Sequence, residues 1–389
     1  MTVADVHATE PAHDELAAWL RLLETPGIGR QRARRLLRAF GGPREIFEAS
    51  PAAWREVLDG HKVCEALARP PEGHDALVTR TGQWLQQPGC HLLVLGDPVY
   101  PSTWMELADP PLVLHARGRL ELLGIGALAV VGSRHPTPQG ADNAFQFSAA
   151  LSQAGMVVVS GLAQGIDGAA HEGALSGPSG TIAIVGTGLD RVYPRQHHAL
   201  AGRIATEGLM LSEHVLGTPP LAPHFPQRNR LIAGLGRGTL VVEAALQSGS
   251  LITARLAMES NREVFAIPGS IHSPQVKGCH QLIKSGAKLV ETTQDILDEL
   301  HWGTSAPVST GQEKAPAGSP MAAAVQARSD DTPEDPLLDA MGWTPTTLDA
   351  LQARTGLPTS ELNHRLLELE LSGHVVRLPG PLFQRQACA

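Results

Sequence analysis

The middle of the chain alternates short aliphatic runs with longer amphipathic segments. Six runs have the length of buried strands: ALAVV (127–131), MVVVS (156–160), TIAIV (181–185), LMLSE (209–213), TLVVEA (239–244) and EVFAI (263–267). Between the first two, Phe147, Ala150, Leu151 and Ala154 recur at helical spacing, which predicts a helix with one buried stripe. Apolar strands separated by helices are typical of a parallel sheet covered on both faces. The pattern therefore predicts an α/β fold with a doubly wound, Rossmann-like parallel sheet.

The pattern changes on both sides of this core, which we place at residues 86–302. Residues 1–85 contain HDELAAWLRLL, the turn TPGIG and a second helical stretch, which predicts a small helical domain. That second stretch has one apolar side and one basic side: Ala33, Leu36, Leu37 and Phe40 against Arg30, Arg34 and Arg38. From 303 to 328, 18 of 26 residues are Gly, Ala, Ser, Thr or Pro. We therefore predict a flexible linker at 303–335 and a C-terminal domain at 336–389.

Charge changes this picture locally. The chain has 31 Lys and Arg against 39 Asp and Glu, and its net charge of −8 argues against a general polyanion binder. Residues 191–237 nevertheless contain six arginines, four histidines and only two carboxylates. The densest part is HFPQRNRLIAGLGRG at 224–238. An acidic protein thus carries one basic segment.

Cysteine usage and the first residues bear on the compartment. Cys64, Cys90, Cys279 and Cys388 form no C-x-x-C pair, which argues against a disulfide framework or a structural zinc site. The N-terminal residues lack the charged start and apolar stretch of a secretory signal, and no run of about 18 apolar residues occurs. We expect a soluble, cytoplasmic protein with no metal, no cofactor and no membrane partner.

Polar clusters follow the predicted strands. In chain order they are GSRHPTPQG, GLAQGIDGAAH, GTGLDRVYPRQHH, HFPQRNR, Gln247 to Ser250, and PGSIHSPQVKGCH. The carboxyl ends of parallel strands share one edge of the sheet, where open α/β sheets bind their ligands. Glycine turns, helix starts, hydroxyl groups and guanidinium groups are donors that suit phosphate. We therefore predict a phosphate-binding edge with Arg134, Arg228 and Arg230 in contact with phosphate.

Standard catalytic patterns are missing from this edge. The sequence has no G-x-x-x-x-G-K-[ST], G-x-S-x-G or H-E-x-x-H, and no G-x-G-x-x-G follows the first run. Asp167 and His171 have the spacing of an acid/base pair. We favour a structural role, in which Asp167 caps its helix and His171 packs beside it. For Phe225 we favour a core position over stacking on a base.

Long motifs in a fixed order resemble the DNA-processing protein A (DprA/Smf) family. They run from GDPVYPSTWMELADPPLVLHARG through VVGSR, SGLAQGIDGAAHEGAL, GTGLDRVYP, LSEH, FPQRNRLIAGL, VVEAALQSGSLITARLA and FAIPG to KGCHQLIKSGA, over roughly residues 95–295. The resemblance implies an extended Rossmann-like core that binds single-stranded DNA and forms homodimers. It also implies a non-enzymatic mediator that protects incoming strands and loads the recombinase RecA during natural transformation, with single-strand-binding protein as a further partner.

The same resemblance implies which residues contact DNA. They are Gly132, Ser133 and Arg134 of the G-S-R turn, and further Gly161, Arg195, Arg228, Asn229, Arg230 and Lys277. Two positions depart from the family pattern, because His197 and His280 stand where Asn is usual. Histidine titrates near neutrality and Asn does not. If either imidazole touches DNA, binding should tighten towards pH 6; if both only pack, binding should not respond.

The flanking domains also fit the layout of this family. TPGIGRQRARRLLRAFGG resembles a helix-hairpin-helix within a SAM-like helical domain, and its turn, Pro26 to Gly29, either presents amides to phosphate or only joins two helices. Residues 336–389 fit a winged helix, with Leu362, Leu366 and Leu369 on one face of its second helix and HVVRLPGPLFQRQ as the wing. Three glutamates on that helix disfavour entry into a DNA groove. We expect it to contact protein or to give weak help in DNA binding, without reading sequence.

Two other functions compete with DNA binding. Nucleotide-monophosphate phosphoribohydrolases have a related core and a P-G-G-x-G-T-x-x-E motif. The segment GLGRGTLVVE at 234–243 matches this motif in part. Glu243 lies four residues after Thr239 instead of three, and one residue of shift on a strand turns a side chain to the opposite face. We therefore expect Glu243 to orient an arginine of this edge or to cap the next segment. A transcription regulator would rest on the winged helix alone.

Overall fold

The structure is a computed structural model that describes residues 12–271, 273–303, 335–341 and 345–386. Residues 304–334 of the predicted linker and Cys388 lie outside the described residues. The chain divides into two compact units, Met1–Ile296 and Leu297–Ala389. Within the described ranges no helix combines the length and the apolar character that crossing a membrane requires.

A nine-stranded sheet forms the centre of the first unit, in the order β1-β2-β6-β5-β4-β3-β7-β8-β9. The strands are β1 Cys90–Val94, β2 Val113–Gly118, β3 Ala127–Val131, β4 Val157–Ser160, β5 Thr181–Val185, β6 Leu209–Ser212, β7 Gly236–Val241, β8 Glu263–Ala266 and β9 Lys288–Leu289. From β6 to β9 along this order neighbours are parallel, whereas β2 pairs antiparallel with both β1 and β6. The six predicted strands and the doubly wound parallel sheet are confirmed.

Helices connect these strands. Those of the core are α7 Ser102–Met105, α8 Pro138–Gln153, α9 Ile166–Leu175, α10 His198–Glu207, α11 His224–Leu235, α12 Ser250–Glu259, α13 Lys277–Lys284 and α14 Thr293–Glu299. The chain runs from β3 outward to β6, and α11 then returns it to β7 on the other side of β3. The order of strands thus reverses at β3, and the carboxyl ends beside β3 form the crevice where such sheets bind ligands.

Both faces of the parallel strands are buried. On β5, Ile182 and Ile184 pack in the cluster that contains Leu231 of α11, while Ala183 and Val185 pack with Leu200 of α10 on the opposite face. Successive side chains of a strand point to opposite faces, so a strand covered on both sides has no polar alternation. This burial explains why the strands appear in the sequence as unbroken aliphatic runs.

Six helices precede the sheet, of which the sequence analysis identified the first two: α1 His13–Glu24, α2 Arg30–Phe40, α3 Pro43–Glu48, α4 Pro51–Val57, α5 His61–Leu67 and α6 His74–Leu85. Ala33 and Leu36 of α2 are buried, and Leu37 and Phe40 pack partly buried against the same cluster. Leu92 of β1 and Val113 of β2 belong to that cluster as well. The helices therefore share one hydrophobic core with the antiparallel edge of the sheet.

The second unit contains a small three-stranded sheet. Its elements are α15 Pro336–Met341, β10 Thr346–Thr347, α16 Leu348–Thr355, α17 Thr359–Leu371, β11 Val375–Leu378 and β12 Leu382–Arg385, with strand order β10-β12-β11. The predicted apolar face of α17 is buried through Leu362, Leu366 and Leu369. β11 and β12 pair antiparallel as the predicted wing. The winged helix is confirmed.

Gly165, just before α9, fixes the turn that follows β3. Its φ of +84° lies in the left-handed region, and a Cβ there would lie 2.7 Å from Cδ of Pro136 and 2.8 Å from the carbonyl carbon of Arg134. Real Cβ atoms do not approach neighbours this closely, and the clash is with backbone that cannot move aside. The G-S-R turn and the start of α9 are thus packed against each other.

Gly165→Ala should therefore lower the free energy of unfolding by about 2 to 4 kcal/mol, because it adds backbone strain to overpacking. The matched control is Gly202→Ala in α10, where a Cβ meets nothing within 4 Å. A helix gains about 0.5 to 1 kcal/mol from this change. Denaturant titration of both variants measures the difference, and equal stabilities would contradict the packing described.

Candidate nucleic-acid interface

A groove of about 750 Å³ opens at the carboxyl ends of β3 and its neighbours. One wall is the G-S-R turn after β3, and the other sides are the first turns of α11 and the start of α12. The residues that line this groove include Gly132, Ser133, Arg134, Asp167, Tyr193, Phe225, Arg228, Asn229, Gln247, Ser248, Gly249 and Ser250. The predicted convergence of polar clusters on one edge of the sheet is thus present for five of the six clusters.

The G-S-R turn presents one exposed cation to the groove. Ser133 Oγ accepts the amide of His135 at 3.1 Å, and the Ser133 carbonyl accepts the amide of Ile166 at the start of α9, also at 3.1 Å. Arg134 is exposed. Its guanidinium carbon lies 5.8 Å from the centre of the Phe225 ring, and no hydrogen bond or ion pair within the described residues occupies it. Arg134 is therefore free to bind an anion.

Arg228 differs from the prediction, because it is a buried structural cation. The residue is 6% exposed, and its Nη1 donates to the carbonyl oxygens of Gly161, at 2.5 Å, and Ile184. Burial lowers its pKa to about 10, and it still carries its charge at neutral pH. Arg228 thus ties the ends of β4 and β5 together beneath the groove, where its charge still acts on a bound anion.

Arg230 differs from the expected phosphate contact, because its guanidinium is paired within the protein. Its Nη2 donates to Glu213 Oε1 at 2.6 Å and also contacts Oε2, and its Nη1 donates to the carbonyl of Asp109 at 2.7 Å. The residue does not line the groove. Because α-helical neighbours are about 100° apart, Arg230 leaves α11 on a different side from Asn229. Its guanidinium is neutralised and is not offered to phosphate in this structure.

The amides after β4 are also occupied. Asp167 Oδ2 accepts from Gly161 at 3.1 Å and from Ala163 at 3.2 Å, and His171 Nε2 accepts from Leu162 at 3.2 Å. Burial raises the pKa of Asp167, and the charge of Arg228 opposes this shift. These contacts agree with a structural role for Asp167 and His171, but Asp167 does not cap its own helix α9 as expected, since it binds amides of the preceding loop. The Gly161 amide, expected to face phosphate, is instead bonded within the protein.

His171 is neutral in the fold. It is fully buried, and this burial lowers its pKa to about 3. Since Nε2 accepts the Leu162 amide, Nδ1 holds the proton and donates to Thr181 Oγ1 at 2.7 Å. Thr181 Oγ1 in turn donates to the carbonyl of Val158 at 2.7 Å. A neutral imidazole with both nitrogens bonded inside the core is unsuited to general acid or base catalysis here.

Glu243 accepts hydrogen bonds from Thr137, the N-cap residue of α8. Oε2 accepts the Thr137 amide at 2.9 Å and Oε1 accepts the Thr137 hydroxyl at 2.5 Å, while Thr137 Oγ1 accepts the amide of Gly140 at 3.0 Å. Glu243 is 6% exposed, and burial raises the pKa of its carboxyl. Glu243 therefore has a structural role, but it supports the N-cap of the preceding helix α8, and not an arginine or the next segment as expected.

The remaining predicted residues surround the groove. Asn229 is half-buried and lines it, whereas exposed Arg195 and Lys277 do not. Gly278, next to Lys277, donates its amide to the carbonyl of Ala244 at 2.7 Å, beside the groove residue Ala245. His197 Nδ1 and His280 Nε2 bond the carbonyls of Leu162 and Gly269. Both imidazoles thus have partners within the protein, which favours DNA binding that does not respond to pH.

Sequence reasoning missed the aromatic platform formed by Tyr193 and Phe225, because it favoured a core position for Phe225, which instead lines the groove. Tyr193 is 45% exposed, and its ring centre lies 5.5 Å from that of half-buried Phe225. Together with Arg134 these two rings also line a small pocket adjoining the groove. The chain is only 4% aromatic, and that low average hides a local pair which only the fold brings together.

The start of α12 forms the facing wall. Ser248 and Ser250 hydroxyls lie 2.7 Å apart, and Ser248 Oγ accepts the Ser250 amide at 3.3 Å. Within the described part of the chain, no group of three His, Cys, Asp or Glu residues could hold a metal ion. The groove therefore combines hydroxyls, amides, one free guanidinium and aromatic rings, a set that suits a phosphate backbone with exposed bases.

Comparison with known proteins agrees with this geometry. The family model for DNA recombination-mediator protein A matches residues 91–301, and a model for the DprA winged helix domain matches residues 321–381. The chain belongs to the DNA recombination-mediator protein A family. The resemblance identified from the motifs is confirmed, and the family is one of recombination mediators, as expected, and not of enzymes.

Relatives in this family are similar over much of their length. The chain is 42% identical over 311 residues to Protein Smf of Escherichia coli K12, covering 78% of this chain and 80% of that protein. It is 49% identical over 206 residues to DNA processing protein DprA of Streptococcus pneumoniae R6, covering 53% and 73%. The crystal structure of S. pneumoniae DprA matches with a TM-score of 0.64 at 38% identity, over 75% of this chain and 98% of that chain.

A Helicobacter pylori DNA processing protein A structure also matches, with a TM-score of 0.50 at 32% identity, over 54% of this chain and 95% of that chain. Its description concerns a single-stranded DNA binding mode.

Acid should destabilise the protein through His171. Its pKa is about 3 in the fold and 6.5 when unperturbed, so below pH 6.5 the unfolded chain takes up a proton that the fold excludes. As the pH is lowered, the free energy of unfolding therefore decreases, and this residue accounts for at most about 1.4 kcal/mol per pH unit of that decrease. His171→Gln keeps an acceptor for the Leu162 amide and cannot take up the proton. Denaturant titrations should show a shallower fall between pH 6.5 and 5.

The control for this experiment is His198→Gln, which removes an exposed imidazole and should leave the pH dependence as in the wild type. Identical pH slopes for His171→Gln and the wild type would show that His171 does not resist protonation in the fold.

Proposed function

We propose that the groove binds single-stranded DNA through its sugar-phosphate backbone. The observation that carries the proposal is Arg134, an exposed guanidinium at the reversal of strand order that has no hydrogen bond or ion pair within the described residues. Across the groove, the start of α12 adds hydroxyls and the positive end of a helix dipole. Buried Arg228 adds a positive charge beneath both. These groups recognise phosphate without reading base identity.

The form of the groove supports unpaired strands over duplex. Tyr193 and Phe225 offer aromatic surface beside Arg134, and aromatic rings bind the faces of bases that are not stacked in a helix. In a duplex those faces are covered by neighbouring base pairs. The H. pylori relative, described by its single-stranded DNA binding mode, has the same core at 32% identity, which also supports this choice.

The finer roles are part of the same proposal. The protein would protect incoming single strands and load RecA onto them in the cytoplasm during natural transformation, acting as a homodimer, with single-strand-binding protein as a further partner. Membership of a recombination-mediator family supports these roles. For Ser133, Asn229, Arg195 and Lys277 we retain contact with DNA, because Ser133 and Asn229 line the groove and Arg195 and Lys277 are exposed cations.

The winged helix offers little positive charge for binding phosphate. Its arginines are occupied within the described part of this unit: Arg354 by the Ala340 carbonyl, Arg365 by Asp335 at 3.0 Å, Arg385 by the Leu338 carbonyl, and Arg377 by the ring of Phe383. Glu361 and Glu368 are exposed on α17. Of the two roles expected from the sequence, protein contact or weak help in DNA binding, this charge distribution favours protein contact.

A phosphoribohydrolase is not supported by any observation of the groove. Its catalytic carboxylate would be Glu243, which is buried and accepts two hydrogen bonds from Thr137. A Cβ on Gly140 would overlap the same carboxylate, so the helix start is closely packed against it. We therefore retain binding, and not catalysis, as the function.

Arg134→Ala should weaken binding of a thymidine oligonucleotide by roughly tenfold or more, because a charge-assisted phosphate contact contributes about 1.5 to 3 kcal/mol. The loss should be similar for every sequence, and the slope of log K against log salt should become shallower by about 0.7. Fluorescence anisotropy across a salt series measures both. Arg203→Ala, an exposed arginine on α10 beside Glu207, is the control.

Unchanged affinity and slope in Arg134→Ala, or tighter binding of duplex than of single strands by the wild type, would contradict the phosphate-binding groove.

Tyr193→Leu should weaken binding differently. Removal of an aromatic surface costs about 1 to 3 kcal/mol per stacked base, so affinity should fall roughly tenfold, while the salt slope stays constant because no cation is lost. Tyr193→Phe keeps the ring and serves as the control. A wild-type affinity in Tyr193→Leu would show that bases do not stack on this platform.

A further inference from the structure

Four charged side chains form a closed cluster behind the groove, here called the Arg30 cluster: Arg30, Asp109, Glu213 and Arg230. Arg30 Nε donates to Asp109 Oδ2 at 2.5 Å and its Nη1 to Glu213 Oε2 at 3.1 Å. Arg230 completes the ring by donating to both oxygens of Glu213 and to the Asp109 carbonyl. Glu213 and Arg230 are only 10% and 12% exposed at their side chains.

The members of the Arg30 cluster come from four separate parts of the chain. Arg30 is the first residue of α2, Asp109 precedes β2, Glu213 follows β6, and Arg230 lies on α11. Arg34, one turn further along α2, donates to the Ala108 carbonyl at 2.9 Å. Two of the three arginines on the basic side of α2, Arg30 and Arg34, thus contact the segment before β2, whereas Arg38 is exposed.

α11 connects this cluster to the groove. Phe225, Arg228 and Asn229 line the groove, whereas Arg230 leaves the same helix turn towards Glu213 and α2. Residues at consecutive positions of a helix move together when the helix shifts or rotates. Arg30 of α2 therefore helps to fix the position of α11 relative to β3 from the side opposite the groove. The position of α11 in turn sets the width of the groove.

The charges are balanced within the cluster, two guanidinium groups against two carboxylates. Loss of Arg30 would leave the Asp109 carboxylate with only Arg230 Nε, at 3.9 Å, and Glu213 with Arg230 alone. A partly buried carboxylate with too few donors draws in other partners or water. Arg230 and the turn of α11 that bears Asn229 would then be free to adjust.

We propose that Arg30 is a positioning residue for single-stranded DNA: the N-terminal helices tune the groove through the Arg30 cluster and α11 without touching the strand. The inference rests on the proposed function of the groove. It assigns α2 a role other than the phosphate contact of a helix-hairpin-helix. By linkage, DNA bound in the groove must stabilise the docking of α2 to the same extent that this docking strengthens DNA binding.

The test compares Arg30→Met with Arg35→Met in the full-length chain. Arg35 lies on the same helix and pairs only with exposed Asp59, so it controls for loss of an arginine from α2. Arg30→Met should bind a thymidine oligonucleotide about fivefold to tenfold more weakly, with the wild-type salt slope. Arg35→Met should bind as the wild type does. Asp109→Asn, which weakens the cluster without removing an arginine, should reproduce the loss if Arg30→Met folds poorly.

A double-mutant cycle separates positioning from general loss of structure. Arg30→Met should lose its effect when Asn229→Ala has already removed the groove side of α11, and should keep its full effect beside Ser248→Ala on the opposite wall. Hydrogen exchange gives a second readout, because addition of the oligonucleotide should slow exchange in α2 of the wild type and not of Arg30→Met.

The outcomes distinguish the inference from the proposed function. If the wild type binds and Arg134→Ala weakens binding, but Arg30→Met and Asp109→Asn bind like the wild type, the inference is overturned while the groove stands. A salt slope shallower by about 0.7 in Arg30→Met would also overturn it, since Arg30 would then contact phosphate directly. If the wild type itself does not bind single strands, the proposed function fails first.

Discussion

The groove depends on the buried guanidinium of Arg228. It bridges the carbonyl oxygens of Gly161 and Ile184, and so fixes the ends of β4 and β5 where the backbone leaves the sheet. Gly161 has no side chain because a Cβ would overlap this guanidinium. Asp167 occupies the adjoining amides and supplies the opposing charge. Without this arrangement two strand ends would have unpaired carbonyls under the groove, which is costly in a buried site.

Around Arg228, some charged side chains are paired within the protein and others are available to bind phosphate. Two of the six arginines in the basic segment are used internally: Arg228 by carbonyls and Arg230 by Glu213. Arg134 alone among the three arginines predicted to contact phosphate keeps an open guanidinium within the described residues. A net charge of −8 is therefore compatible with binding a polyanion, because the field that a phosphate meets is set by a few positive groups within a Debye length.

Much of the fold could be predicted because burial on both faces leaves a direct trace in the sequence. TIAIV appears as an unbroken aliphatic run since Ile182 and Ala183 face different helices. β2 was not predicted, because VLHARG carries His115 and Arg117 and pairs antiparallel at one edge. The position of Arg134 directly after a predicted strand was enough to place it at this edge of the sheet. It could not distinguish the open guanidinium of Arg134 from the paired one of Arg230, whose partners Asp109 and Glu213 are far apart in sequence. The pairing of Tyr193 with Phe225 is likewise a product of tertiary structure.

The central claim is that one groove, between the G-S-R turn and α11, holds the DNA strand. Its most direct measurement is photochemical cross-linking of a 4-thiothymidine oligonucleotide to the full-length protein, with the attached peptides mapped by mass spectrometry. Binding in the groove predicts cross-links on the peptides that contain Tyr193 and Phe225, and their loss under an excess of unlabelled single strands but not of duplex. Cross-links confined to the turn Pro26 to Gly29 or to the winged helix, with the groove peptides unmodified, would contradict the claim.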